Sequence, residues 1–525
     1  MSADLALTNG KVLTMHPSQF CAEAVAIKKD RIAKVGTNEE INQWIGKKTA
    51  IINLNGKTVV PGFIDTHIHV ADFGRFLTWL DLRDLTSLDE IKNSLRKRAH
   101  ETPVGKWIIG HGLDQNRLKE KQLPSLSDLD SASPDNPVIL YHQIGQICIV
   151  NSKALELAGI TKQTNAPSGG TINKNEETGE LTGVLRDSAT NLLWHVIPQP
   201  SEEDIVKAVG LACEKIVETG VTTVHWLITS SIEVSILQTL LFKNKLPLKL
   251  FVIVPVNLFD NIAGLSALKA LGNDEIKIGG LEVSVDGYLA ARTAALFQPY
   301  NDESSLSGKL LYAQDEMNKL VVKILKGGFQ LVIHAAGDRA IDVALTAIEQ
   351  SSIEALREKI RIRLDQAAVL NEGLLQRIKK EKVIVSVQPQ VIISEFTVWS
   401  AIKHLGTERA RLLYPVKTML KKGIRVVGGS DCPMEPLSPL LGMQTAVTRA
   451  FFVGERVSVH EALRMYTIDA AYSSGEENIK GSIEIGKLAD LTVLSHDPRK
   501  VQPNEIEKIA VEMTIVGGKV VYSKN

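Results

Sequence analysis

The stretch Val59-Val60-Pro61-Gly62-Phe63-Ile64-Asp65-Thr66-His67-Ile68-His69 runs from β-rich sequence into an HxH pair. Residues two apart in a strand project to the same face, so His67 and His69 can offer two imidazoles to one ion. Such a pair alone is weak evidence, because it often serves as core or surface. Its position at a strand end, behind PGFID, gives it weight. Seven further β-rich runs follow: GVTTVHWL from 220, LKLFVIVPV from 248, LEVSVDG from 281, FQLVIHAAGD from 329, KIRIRLDQA from 359, KVIVSVQPQ from 382 and IRVVGGSD from 424. Eight runs, most leading into helical sequence, predict the α/β class and a (β/α)8 TIM barrel.

The chain ends differ from this pattern. DLALTNGKVLTM, EAVAIKKDRIAKVG and TAIINLNGKTVV are short strands around Asn-Gly and Lys-Asp turns, which predicts an antiparallel meander. GSIEIGKLADLTVLSHDP and VEMTIVGGKVVYS repeat the pattern at the C-terminus, so residues 1–60 and 475–525 are expected to form one composite β-sandwich domain. Residues 61–474 are expected to form the barrel. Within it, about 83–205 is long and rich in turn signals such as SASPDNP and NAPSGGT, and is expected to be an inserted, lid-like segment over the barrel mouth.

The 525 residues carry 60 Lys+Arg against 60 Asp+Glu. A balanced charge provides no surplus of cations to attract nucleic acid or an anionic membrane, which leaves small-molecule substrates. No window approaches about 18 consecutive apolar residues, so no membrane span is expected. The N-terminus lacks the pattern of a secretory signal. The four cysteines form no CxxC pair and are expected to be reduced, buried thiols in a cytoplasmic protein. A homodimer is the default assembly.

His334 closes LVIH and Asp431 closes VVGGSD, and a barrel gathers its active site at strand ends. Three imidazoles and one carboxylate suit Zn2+, with iron or manganese as alternatives. The plainer readings are a satisfied core histidine for His334 and a helix N-cap for Asp431.

Here the sequence resembles the amidohydrolase superfamily, specifically the third amidohydrolase family, which includes deformylases of N-substituted formamides. PGFIDTHIH, PVGKWIIGHGLDQN, NSKALELAGI, TGVLRD, GVTTVHW, VDGYLAARTAAL, HAAGDRAID, GSDCPMEPLSPLLGM and GSIEIGKLADLTVL carry the resemblance over nearly the whole chain. It implies a composite β domain, a metal-bearing barrel and hydrolysis of a non-peptide C–N bond. His67, His69, His334 and Asp431 match the family's metal ligands. Three positions depart from the pattern: Glu282 stands where the family has Lys, Gln366 where it has a sixth-strand His, and Gly145-Gln146 where the insertion has Gly-His. Glu282 can still ligate a metal or bridge two; its alternative is an ion pair with a cation such as Arg292. Gln366 is a poor ligand beside imidazole, so one tightly bound metal is expected, and its amide is left to hold a substrate oxygen or to serve structure alone.

In the expected mechanism a metal-bound water attacks a carbonyl or amidine carbon, while Asp431 shuttles its proton to the leaving nitrogen. His111 and His142, in the insertion, are candidates to stabilise developing charge at the mouth; otherwise they pack loops. Arg292 is a candidate substrate anchor or a structural ion pair. His225 closes TTVH and is placed for a pocket-facing or supporting role, and Asp65 for support from behind the ligands. The rival readings are a mononuclear deaminase of an aminated heterocycle and a catalytically reduced binding protein on the same scaffold.

Overall fold

The computed structural model describes residues 2–143, 147–243, 246–258, 269–270, 272–273, 275–351 and 360–524. Gly145-Gln146 lies outside them. The chain divides into two compact units, one of Met1–Phe73 with Val209–Asn525 and one of Gly74–Ala208.

In the first unit, eight parallel strands stand in sequence order: β1 (Phe63–Ile68), β2 (Val221–Leu227), β3 (Lys249–Pro255), β4 (Ile276–Ser284), β5 (Gln330–Ala335), β6 (Ile362–Gln366), β7 (Ile384–Val387) and β8 (Val426–Gly428). All eight runs expected from the sequence are strands. Sequential parallel order is what right-handed β/α crossovers produce, and the sheet curls into a TIM-type barrel. The loop after β8 closes it on β1: Asp431 N donates to His67 O at 2.8 Å and Ser430 N to Asp65 Oδ1 at 2.9 Å. Helices cover the outside with apolar stripes. In α1 (Asp338–Gln350), Ile341, Ala344, Leu345 and Ile348 recur at helical spacing and are buried.

The two chain ends form two further sheets. Arg31–Gly36, Ala24–Lys28, Leu5–Thr8 and Ala50–Asn53 make one. The other runs Lys519–Ser523, Val511–Val516, Leu491–Leu494, Thr58–Pro61, Lys11–Leu13 and Cys21–Ala22. Leu7, Val25 and Ile27 of the first sheet share a core with Val59, Leu491 and Ile515 of the second, which makes a sandwich. The expected meander is corrected here. Asn9-Gly10 and Asn55-Gly56 do not close hairpins but carry the chain from one sheet to the other, and Leu5–Thr8 pairs in parallel with Ala50–Asn53. Lys29-Asp30 and Gly517-Gly518 are true hairpin turns. A positive-φ turn fixes the direction of the chain but not the partner of the next strand. The cysteines also need one correction: all four are free, but Cys21, on an edge strand, is exposed.

The second unit is built on a mixed sheet ordered Gly170–Lys174, Leu181–Asp187, Ile147–Val150, Val138–His142, Ile108–Leu113 and Leu80–Asp81. The segment expected as an insertion falls within its bounds. Among the described residues no helix is long and apolar enough to cross a membrane.

Candidate metal centre

β1 is buried along its whole length and carries Asp65 and His67, with His69 just beyond its end. The chain must approach His67 closely: a Cβ at Gly429 would lie 2.6 Å from the Cβ of His67, so only glycine lets the loop after β8 pass. That approach brings Asp431 over the HxH pair. Asp431 takes φ +61, the left-handed region that a non-glycine residue enters at a cost. It caps no described helix, so the N-cap reading falls away.

His67, His69 and Asp431 form a triad whose ligand atoms all lie within 4.8 Å of one another. The tautomers follow from what holds each ring. His67 Nδ1 is 2.7 Å from Asp365 Oδ2. Burial opposes charge on Asp365, but the Arg363 guanidinium and His67 hold its carboxyl down at about 2, so it accepts and His67 Nδ1 donates. His69 Nδ1 faces the carbonyl of Leu227 at 3.3 Å, which can only accept. Both rings therefore turn Nε2 to the same atom, Asp431 Oδ1, at 3.5 Å from His67 and 3.4 Å from His69. These separations are long for charge-assisted hydrogen bonds, which run about 2.7–2.9 Å. They match about 3.4 Å, the spacing of two ligands held at about 2.1 Å by a tetrahedral ion. The residues fit a divalent cation. Their field does too: burial works against a charged His69, yet Asp431 overrides it and raises the ring to about 9.

Behind the triad a buried polar chain runs down the barrel. Arg363 donates to both oxygens of Asp365, Nε to Oδ1 at 2.5 Å and Nη2 to Oδ2 at 2.6 Å. Its Nη1 meets His225 Nδ1 at 3.0 Å. Burial keeps the His225 ring far below its ordinary value, so the neutral ring accepts through Nδ1. His225 keeps its Nε2 without a partner among the described residues. It sits fully inside the barrel, packed on its register partner Phe251 with ring centroids 4.8 Å apart. Asp365 was missed as a functional residue although it stands in the Arg363-Leu364-Asp365-Gln366 segment. The available signal was strand alternation, which puts Arg363 and Asp365 on one face.

Residues 50–522 match the model of the amidohydrolase family. The chain belongs to that family. It is 32% identical to YtcJ of Bacillus subtilis (strain 168), which carries the name of an amidohydrolase, over 98% of this chain and 99% of that protein. It is 30% identical to the N-substituted formamide deformylase of Arthrobacter pascens over 99% of this chain and 98% of that one. A solved structure of an uncharacterized metal-dependent hydrolase from Pyrococcus furiosus superposes with a TM-score of 0.78 at 29% identity, covering 94% of this chain and 100% of that chain.

The remaining residues singled out in this amidohydrolase chain are not gathered into the triad. His334 is buried at the end of β5, its Nε2 3.3 Å from Gly287 O and its ring 5.2 Å from that of Tyr288. Its turn is pinned by Asp286, whose carboxylate accepts from Ala336 N, Gly337 N and Ala295 N at 2.8 to 2.9 Å. His334 lies close enough to Asp431 to act on that carboxyl through space. Glu282 lies one step lower on β4, since Ser284 is the register partner of His334 and Glu282 that of Val332; its charge reaches His69. Arg292 does not pair with Glu282. It binds Asp302 at 2.7 Å, and His404 Nδ1 meets the same carboxylate at 2.9 Å; Arg292 and His404 together hold Asp302 well below the usual carboxylate range. Gln366 takes φ +69 at the end of β6 and accepts the hydroxyl of Tyr414 at 3.0 Å. Asp65 supports the backbone rather than the rings, its Oδ1 accepting from His67 N and Ser430 N.

In the second unit His111 packs against Phe76 with centroids 3.6 Å apart, and burial lowers it to about 4. His142 Nε2 is 2.7 Å from Gln115 Oε1. Both therefore have partners within their own unit, as loop-packing histidines do.

Proposed function

We propose that this amidohydrolase is a metal-dependent enzyme that cleaves a non-peptide C–N bond of a small molecule, an amide, formamide or cyclic amide. The observation that carries the reading is the triad, with two imidazole Nε2 atoms aimed at one oxygen of Asp431 at tetrahedral ligand spacing. Zn2+ suits this nitrogen and oxygen donor set, and when bound it would lower the pKa of a water and polarise the scissile carbonyl.

The protein's own groups do the rest. Asp365 and the Leu227 carbonyl fix the two imidazole tautomers. Asp431 has a second carboxylate oxygen with which to take a proton and pass it to the leaving nitrogen. His334 and Glu282, on adjacent lumenal steps of β5 and β4, extend the set toward the substrate or toward the ion. The full-length likeness to a formamide deformylase supports amides and formamides as the first substrates to try.

The test is metal content together with hydrolysis of a formamide and amide panel, in the wild type and in His67→Ala and Asp431→Asn. Both variants are expected to lose bound metal, and Asp431→Asn to lose rate by about 10^2 to 10^4-fold. Wild-type protein without metal and without metal-dependent hydrolysis would sink the reading.

A further inference from the structure

The β6–β7 side of the barrel mouth holds polar groups that the triad does not use. Gln388 directly follows β7. It lies two residues beyond Ser386, whose hydroxyl meets that of Thr66 at 3.0 Å and whose register partner is Asp365. Strand alternation therefore turns Gln388 to the lumen, one step above the Asp365 level. It has 0% exposure, and among the described residues neither its amide nitrogen nor its amide oxygen has a partner. The next element, α2 (Pro389–Thr397), carries Glu395, 3% exposed, with Oε2 also unpartnered.

This helix is tied to the loop that bears Asp431. Gln390 donates to Pro436 O at 3.4 Å and to Ser438 O at 3.1 Å, and the Ser394 hydroxyl donates to Glu435 at 2.6 Å. Gln366, with its oxygen on Tyr414, closes the neighbouring strand, and the charge of Glu395 reaches the Tyr414 hydroxyl. Three buried polar atoms without partners cost about 1–3 kcal/mol each. A native fold leaves such groups for a reason, commonly a ligand or ordered water. Burial and the like charge of Glu435 push Glu395 up to about 8, so at neutral pH the carboxyl holds a proton that an incoming cation displaces to solvent.

Gln388 caps α2 and Glu395 stands seven residues on, about two helical turns along the same side, and one ligand chemistry would serve all three atoms. An ammonium donates to Glu395 Oε2 and to the Gln388 oxygen, and a carbonyl oxygen beside it accepts from the Gln388 amide. We propose that Gln388 and Glu395, flanked by Gln366, form a subsite for an ammonium group on the non-scissile part of the substrate, making amine-bearing amides the substrate class. The proposal rests on the hydrolase reading above.

A matched pair of probes tests it: the methanesulfonamides of 1,4-diaminobutane and of pentylamine, which differ in an ammonium against a methyl and are not cleaved as amides. Calorimetric titration of the wild-type holoenzyme is expected to give at least tenfold tighter binding of the ammonium probe. Glu395→Gln should remove most of that preference, and Glu395→Asp should restore part of it. Gln388→Leu should weaken the ammonium probe and not the pentyl probe, while its melting temperature stays level or rises, because leucine replaces an unpartnered amide. Equal affinity of the two probes for the wild type, as ordered water alone would give, overturns the subsite whatever the variants do. So does a preference unchanged in a folded Glu395→Gln. Hydrolysis of the corresponding formamides is measured separately: a retained ammonium preference with no turnover would overturn the hydrolase reading and leave the subsite standing.

Discussion

At the β1–β8 side of the mouth the two imidazoles of the proposed metal site are each anchored through Nδ1, whereas at the β6–β7 side Gln388 and Glu395 keep polar atoms with no partner among the described residues. The contrast has a physical reading. A cation site needs its donors held in one tautomer and one orientation before the ion arrives, and Asp365, Arg363 and the Leu227 carbonyl supply that. A substrate site must stay unsatisfied until the substrate comes, and it accepts instability in return.

The sharpest way to break the anchored side is Arg363→Met. It leaves the fully buried Asp365 without its guanidinium, and a loss of about 3–5 kcal/mol in unfolding free energy is expected, read by denaturant titration. A loss under about 1 kcal/mol would mean that the buried chain does not organise the barrel interior.

The opposite side responds to pH instead. Glu395 has a carboxyl raised to about 8, so its folded state holds a proton that the unfolded chain has released. Stability from this group is whole below the unfolded value near 4.5 and falls as pH rises through about 8. Glu395→Gln removes that dependence. Its stability relative to wild type should climb by up to a few kcal/mol, on the order of 2 or more, between about pH 5 and 8. A flat difference across that range would show that the carboxyl titrates normally.

A milder break of the anchored side is Asp365→Asn, which keeps an acceptor but removes the charge that holds His67. Metal affinity should fall by about 10 to 100-fold, measured by competition with a chelator. Affinity equal to wild type would separate Asp365 from the metal site. The smallest effect belongs to Arg292→Ala. Its partner is Asp302, its side chain is one-third exposed, and about 1 kcal/mol of stability is expected with the rate of hydrolysis nearly unchanged. A large fall in kcat/KM would return Arg292 to the substrate.

How much of this was legible in the sequence follows from how local each signal is. The eight barrel strands could be read because β-branched, apolar runs end in turn residues, and the HxH pair because alternation within one strand places both rings. The buried chain could not be read. His67 meets Asp365 across 298 positions of sequence, and only the closed barrel shows that Arg363 continues the chain to His225. Arg292 could be read as a substrate anchor or as half of a structural ion pair, and only the fold shows Asp302 as its partner. The Asn-Gly corners at Asn9 and Asn55 show the same limit, since turn chemistry announces a change of direction and tertiary packing chooses the sheet. Gln366 drew attention as a lost ligand, while the informative neighbour was the aspartate before it.

The most direct test of the central claim is the metal content of wild-type protein purified without chelator, measured by elemental analysis alongside His69→Ala. The account predicts close to one divalent ion per chain in the wild type and almost none in the variant. No ion in the wild type, or the same content in both proteins, would contradict it.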